Sequence, residues 1–262
     1  GTDTDTGTDT AASGICVSAV PCVGSYSVTE LEEVAVLGDC ESISGDLSFL
    51  SVESLTDIDL PCLTTIGGSL TVQDSNDLSD LRGLSRLTTV GGTLGLRLNN
   101  GLTSVDGLSS LTHIGALFIY INPALINIDG FSGLTSISND MRIDGNASLT
   151  NINGLSALEV VGDSITIFDN DALESLGGFS SLVEAAGLWI EDNDALIGID
   201  GLSHLSRLDE HLSIQLNDSL LNVDGLTGLE AVGEYLSISS NRAMTDLDGL
   251  SGLTTVGGDV LL

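Results

Sequence analysis

The sequence predicts a mainly β fold, a right-handed parallel β-helix (a solenoid) built from coils of 23–24 residues. Three observations carry this prediction. One pattern of apolar residues recurs at that spacing along most of the chain, which is the mark of a repeat architecture. Nearly every copy carries an Asn at the same position. Gly, Asn and Asp-Gly interrupt every copy, which leaves no room for a long helix. We call each copy a rung.

The rung pattern is clearest at residues 188–211, where apolar residues stand at offsets 0, 2, 8, 11, 14, 17 and 20 from Leu188. Offsets 0 and 2 share one face of a strand, because side chains alternate along a strand. The later spacing of three predicts short strands alternating with corners. A leucine-rich-repeat-like coil with little helix is the alternative. Regular rungs begin at Leu70, Leu94, Leu117, Met141, Ile165, Leu188, Leu212 and Leu236.

The chain divides into three parts before and along these rungs. Residues 1–13 are an acidic Thr/Asp/Gly linker, which we predict to be disordered because the tract GTDTDTGTDT has no apolar residue to bury. This linker resembles the spacer after the lipidated Cys of bacterial surface lipoproteins, which implies a lipid anchor upstream of residue 1. Residues 14–46 form an N-terminal cap, and residues 47–262 form the solenoid, whose first rung at Leu47 is irregular.

The cap holds most of the cysteines, which stand at positions 16, 22, 40 and 62 and do not recur in the rungs. An even number confined to one end predicts disulfides. Zinc is the alternative, although no Cys-x2-Cys pair is present. Disulfides would place the chain outside the cell or on its surface. Ser27 to Glu30 fits a capping box, so we predict a short helix near residues 28–36 that covers the open end of the solenoid.

The cap also carries a resemblance to a known family. Cys22, a short helix and then CESISGDLSF resemble the opening of receptor L domains, and rung starts close to Gly-x-Leu-x-Ile, as at Gly68 and Gly92, add to it. The resemblance covers most of residues 22–262. It implies a disulfide between Cys22 and Cys40, which leaves Cys16 for Cys62. It also implies that a sheet face is used for ligands.

The recurring Asn predicts an internal ladder, in which each amide bonds backbone groups and the Asn of neighbouring rungs. Polar ligand contacts are the alternative. Two members, Asn146 and Asn217, lie in glycosylation sequons, and we expect neither to be modified because both belong to the ladder. The ladder residues are Asn99, Asn122, Asn146, Asn170, Asn193, Asn217 and Asn241.

The Asp-Gly pairs predict turns in which the Asp side chain caps nearby N–H groups and the Gly takes a positive φ. A calcium-binding ladder is the alternative, but calcium sites usually draw several carboxylates per turn. The pairs stand at 106–107, 129–130, 200–201, 224–225 and 248–249, with Asn153-Gly154 in the same place. We therefore expect no resident metal and no cofactor.

The charge excludes two classes of partner. Acidic residues number 38 against 6 arginines and no lysine, a net charge of −32. Such a surface repels nucleic acid and anionic membranes, and suits cations, basic partners or a salty medium. No run of about 18 apolar residues is present to span a membrane.

Catalytic motifs are missing from the sequence. His113, His204 and His211 fall at three different offsets, and there is no nucleophile elbow, phosphate loop or metal-binding His pair. We therefore expect a protein that is not an enzyme and has no catalytic residue. A polysaccharide-acting β-helix enzyme, which would need clustered carboxylates, is the third alternative after the two given next.

One functional signal remains, on the outward side of the strands. Offsets 1 and 3 flank the inward residues, and in the middle rungs they hold four of the nine aromatic residues and two of the six arginines. Aromatic residues and Arg are enriched at interface hot spots, so we expect a surface that binds a protein or a glycan. The alternative is that they only pack on each other, within an acidic structural spacer. We call these residues the outward patch: Arg97, Phe118, Tyr120, Arg142, Phe168 and Trp189.

Overall fold

The computed structural model describes residues 16 and 18–262, and the predicted linker over 1–13 lies outside them. The described chain is mainly β with one short α-helix, and its strands pair in parallel throughout. The apolar columns form one continuous core from Val28 to Ile238. The predicted parallel solenoid of 23–24-residue rungs is thus confirmed. None of the described helices has the length and apolarity needed to cross a bilayer.

The cap has strands at Val20–Cys22, Tyr26–Val28 and Cys40–Ile43 and a helix at Leu31–Val36. Disulfides join Cys22 to Cys40 and Cys16 to Cys62, as the resemblance implied. The predicted capping box at Ser27 is wrong, because the helix begins three residues later.

The Glu33 carboxylate instead caps the N-terminal end of the helix. It accepts the backbone N–H of Thr29 at 2.7 Å and that of Glu30 at 3.1 Å. These bonds hold the pKa of Glu33 below its usual value, because they stabilise the ionised form. The helix and the residue after it bury Val34 and Leu37 against the core.

The front strands contain offsets 0 to 3 of each rung. Over these offsets successive front strands pair without a shift, so that Leu188 lies opposite Leu212 and Trp189 opposite Ser213. Residues at the same offset therefore stack in columns. The front strands are Leu47–Leu50, Leu70–Gln73, Thr89–Arg97, His113–Tyr120, Met141–Asp144, Ile165–Phe168, Leu188–Glu191, Leu212–Gln215, Leu236–Ser239 and Val260–Leu261.

A second track of shorter strands runs just ahead of the front strands in each rung. Two front strands, Thr89–Arg97 and His113–Tyr120, extend backwards through this track. The separate short strands are Thr65–Ile66, Ser136–Ile137, Val160–Val161, Arg207–Leu208, Ala231–Val232 and Thr255–Val256.

The remaining side of the rung differs from the prediction of strands and corners. The apolar spacing of three there is the period of a 3-10 helix, in which each N–H bonds the carbonyl three residues back. Leu84 bonds Leu81 at 2.9 Å, and Leu87 bonds Leu84 at 2.9 Å. The 3-10 helices are Arg82–Leu84, Asp129–Phe131, Asn153–Leu155, Gly177–Phe179, Asp200–Leu202, Asp224–Leu226 and Asp248–Leu250.

Four of the five Asp-Gly pairs, and Asn153-Gly154, start 3-10 helices, and the predicted turn chemistry is wrong for them. Of the paired glycines only Gly107 has a positive φ, of 104°. Gly225 shows the usual reason for glycine, since a Cβ there would overlap the carbonyl oxygen of Ile199 in the preceding rung. The side-chain oxygen that caps the start of the 3-10 helix belongs to the residue two positions before the Asp. Asn222, for example, accepts the backbone N–H of Asp224 at 3.1 Å.

A left-handed residue follows the front strand in every rung. Its φ lies between 52° and 66°, and only one of the nine is a glycine. This residue turns the chain, so that the next residue, which is the ladder Asn in the seven rungs from Leu94 onwards, lies inside. The left-handed residues are Ser51, Asp74, Leu98, Ile121, Gly145, Asp169, Asp192, Leu216 and Ser240.

The Asn ladder is confirmed. Asn146 is fully buried. Its amide nitrogen donates to the carbonyl of Ile119 in the preceding rung at 3.0 Å and to Asn170 of the next rung at 3.2 Å. Its oxygen accepts the backbone N–H of Asn122 at 3.1 Å. The amide of Asn146 thus joins three rungs. Asn217 is equally buried, and the absence of glycosylation at both sequons stays a prediction.

Candidate ligand-binding face

The outward patch lies on five neighbouring front strands. Their register puts Arg97 opposite Tyr120 and Phe118 opposite Arg142. Trp189 lies two strands from Arg142, with Thr166 between them. The inward neighbours of all these residues are fully buried in the core, which fixes the backbone under the patch.

Tyr120 is the centre of one half of the outward patch. Its ring stacks on Phe118 with centroids 5.6 Å apart and planes at 19°. The Arg142 guanidinium carbon lies 5.7 Å from the Tyr120 centroid, within cation–π range. Arg142 is held by Asp144, to which it donates from Nη2 at 2.6 Å and from Nε at 3.1 Å. Burial raises the pKa of the Tyr120 phenol, and Arg142 opposes that rise.

Two depressions open on this face, and Arg142 lines both. The first, which we call the basic depression, has a volume of about 310 Å³. It is lined by Arg97, Leu98, Tyr120, Ile121, Arg142 and Asp144. The second, which we call the Trp depression, has a volume of about 340 Å³. It is lined by Arg142, Thr166, Phe168, Trp189 and Glu191. The outward patch therefore contains two separate depressions rather than one continuous groove.

Trp189 joins the patch to two residues that the sequence did not single out. Its indole N–H donates to Glu191, and its ring meets His211 edge-on at 5.7 Å. His211 stacks on Tyr235 at 5.2 Å with the planes at 9°. Burial, then Glu234 and Glu191, raises the pKa of Tyr235. His211 and Tyr235 form a column one position before the front strand. This column lies outside offsets 1 and 3, which hold the outward patch.

An acidic edge flanks the Trp depression. Asp169 and Asp192 are left-handed residues that follow Phe168 and Glu191. Burial raises the pKa of both carboxyls, and nearby aspartates, led by Asp171 for Asp169 and by Asp194 for Asp192, raise them further. Among residues 16 and 18–262 no group of three or more His, Cys, Asp and Glu is placed to hold a metal ion.

His113 is the one histidine bonded to serines in the described part of the chain. Its Nδ1 lies 2.9 Å from the Ser136 hydroxyl and its Nε2 lies 3.2 Å from that of Ser138. A serine nucleophile needs a histidine whose far nitrogen is oriented by a third group, usually a carboxylate. Here both nitrogens face hydroxyls, so the arrangement is that of a surface hydrogen-bond network.

The two disulfides indicate an oxidising compartment, extracellular or secreted. The chain matches no model of a known protein family and no curated protein sequence.

Proposed function

We propose that this chain is a non-enzymatic binding module at a bacterial cell surface, a right-handed, receptor-L-domain-like solenoid. It recognises a protein or a glycan through the outward side of its front strands. The outward patch supplies the contacts, and the ladder and core supply a rigid support for them.

The observation that carries this proposal is the uneven distribution of outward side chains. In the last rungs the outward residues are small and polar, and Gln215 covers Ser213 and Ser237 by bonding their hydroxyls at 2.8 and 3.2 Å. In the middle rungs they include aromatic rings and arginines, and all of these except Phe118 line one or both depressions. Trp, Tyr and Arg are the residues that dominate binding energies at interfaces.

The test is a screen of glycans and surface proteins followed through Trp189, the only tryptophan. Trp189 is 37% exposed, so its fluorescence should change when the face is covered. The double variant Trp189→Ala, Tyr120→Ala has no tryptophan, so its binding is measured by calorimetry, and it should lose binding without losing stability. The control is Ile197→Ala, Leu221→Ala, which removes two exposed apolar side chains outside the front strands. A ligand whose affinity survives the patch substitutions would contradict the proposal.

A second candidate, an acidic structural spacer, is favoured by the regularity of the interior and by the 38 acidic residues. A spacer needs length and solubility but no specific contact. If the screen finds no ligand and the patch variant keeps its stability, the spacer is the better description.

A further inference from the structure

We propose that the basic depression binds a sugar ring bearing a single carboxylate, such as a uronic acid residue of a glycan, with Arg97 as the carboxylate ligand. This inference rests on the proposed binding function and specifies its ligand. It follows from the state of Arg97, from the walls of the depression and from the charge around it.

Arg97 differs from most of the other arginines. Arg82, Arg142, Arg207 and Arg242 each form an ion pair with an aspartate. Within residues 16 and 18–262 the exposed Arg97 guanidinium has no carboxylate within 4.0 Å and donates no hydrogen bond. In a chain with 38 acidic residues and 6 arginines, most arginines find a partner. Arg97 instead presents a free planar fork of donors, which matches a carboxylate.

The walls of the depression suit a sugar ring. Tyr120, Leu98 and Ile121 supply an apolar lining. The C–H face of a pyranose packs on such surfaces, while its hydroxyls stay at the edge. The Arg142–Asp144 pair supplies a donor and an acceptor for those hydroxyls. The volume of about 310 Å³ is that of a small-molecule site, whereas a protein partner would need a broad flat surface.

The charge around the depression favours one carboxylate over a polyanion. Arg142 is already neutralised by Asp144, so Arg97 supplies the one uncompensated positive charge of the lining. The net charge of −32 repels densely charged chains at a distance. An isolated carboxylate on a largely neutral glycan meets the local charge without that repulsion.

The experiment compares methyl β-glucuronide with methyl β-glucoside, which differ in the carboxylate, by NMR-detected titration. The uronide should bind at least about tenfold more tightly, the size expected for a charge-assisted hydrogen-bonded pair. Arg97→Ala should remove that preference. The control is Arg86→Ala, because Arg86 is also exposed and outside every described ion pair but lies beyond the front strands. It removes the same charge and should change neither affinity by more than about twofold.

Three outcomes would overturn the inference. The two sugars could bind equally, or neither could bind. Arg97→Ala could behave like Arg86→Ala. An acetylated peptide with one carboxylate could compete as well as the uronide, which would assign the site to a protein ligand. Each of these leaves the Trp189, Tyr120 test unaffected, so failure here is distinguishable from failure of the binding function. Urea unfolding of both arginine variants checks that their folds are intact.

Discussion

On each front strand two residues point into the core and two point away from it, and the two pairs vary differently along the solenoid. The inward pair is apolar in every rung, and the Asn behind it repeats in seven successive rungs. The outward pair changes from rung to rung, from Phe118 and Tyr120 to Ser237 and Ser239.

This difference separates structure from function. An inward residue contacts its equivalents in the rungs above and below. The same packing constraint therefore applies in every rung, and the same type of residue recurs. An outward residue contacts solvent, a ligand or its outward neighbours, as Gln215 bonds Ser237, so it is free of the core packing that every rung must satisfy. Departure from the repeat on the outward side is therefore the better guide to a binding site.

The largest effect is expected inside the ladder. Asn146→Ala removes the amide that bonds Ile119, Asn170 and Asn122, and leaves buried carbonyl and N–H groups unpaired. At about 1–3 kcal/mol for each unpaired group, we expect a loss of roughly 3 kcal/mol in the free energy of unfolding. Urea denaturation followed by circular dichroism measures it.

The control is Asn100→Ala, at an exposed Asn directly after a ladder residue. Its side chain donates or accepts no hydrogen bond in the described residues, so the change should stay within about 0.5 kcal/mol. Equal losses at the two positions would show that the ladder contributes no more than an exposed amide.

The next effect concerns the 3-10 helices. Gly225→Ala places a Cβ against the carbonyl of Ile199, and backbone must move to make room. We expect a loss of about 2 kcal/mol, the cost of overpacking. Gly198→Ala is the matched change, since its Cβ would meet nothing closer than Asp200 at 3.8 Å. It should be neutral or slightly stabilising. Thermal unfolding of the two variants would contradict the interpretation if they fell together.

A smaller, opposite effect is expected at the turn after the front strand. Ile121 is β-branched and has φ 52°, a conformation that costs such residues about 1 kcal/mol or more. Ile121→Gly should therefore raise the free energy of unfolding by about 1 kcal/mol. Gly145→Ala, the reverse change at the equivalent position of the next rung, should lower it by a similar amount. Both are measured by urea denaturation, and a loss at Ile121→Gly would show that its side-chain packing outweighs the strain.

The smallest effect concerns the acidic edge. The pKa of Asp192 is raised in the folded state by burial, then by Asp194 and other acids, so the folded state binds its proton more tightly than the unfolded state. The ionised form therefore opposes folding at neutral pH, and this cost disappears as pH falls below the unfolded value of about 4. Asp192→Asn should add roughly 0.3 kcal/mol at pH 7 and nothing near pH 3, since exposure screens the effect.

Asp39→Asn, an exposed carboxylate of the cap, removes the same net charge and serves as the control. Equal gains at both positions would show a general charge effect. Added NaCl should shrink the Asp192 gain by screening. A rise in melting temperature from Ca²⁺ beyond that from NaCl of equal ionic strength would support the calcium-ladder alternative.

The interior was predictable because its residues repeat. Leu188 and Asn193 have equivalents at fixed offsets in the other rungs. Few structures account for columns of identical or similar residues, so the parallel strands and the ladder could be predicted from the sequence. The disulfides followed from the even number of cysteines at one end of the chain, and their pairing followed from the family resemblance. The candidate face was predictable only in its membership, since alternation along a strand gives direction but not contact.

The missed features depend on local backbone geometry or on contacts between residues far apart in the sequence. A spacing of three fits both corners and 3-10 turns, and only the hydrogen bond from Leu84 to Leu81 decides between them. The glycine at position 225 looked like a turn residue, but its requirement comes from Ile199 in the rung before. The residue type at position 121 does not indicate a left-handed conformation. The column gives no signal either, because eight of its nine residues are not glycine. His211 was missed because it lies one position before a front strand, outside offsets 1 and 3.

The ladder also bears on how such a molecule can change in evolution. Every ladder amide offers the same donors and acceptors to the rung before and the rung after, so insertion or deletion of one complete 23–24-residue unit leaves an unbroken chain of amides. Gene duplication in whole units is therefore tolerated by the interior. The same event between Arg142 and Trp189 would move Trp189 about 4.8 Å further from Arg142, which lines both depressions. The spacing of side chains on the outward face can thus evolve in fixed steps without any change in the interior.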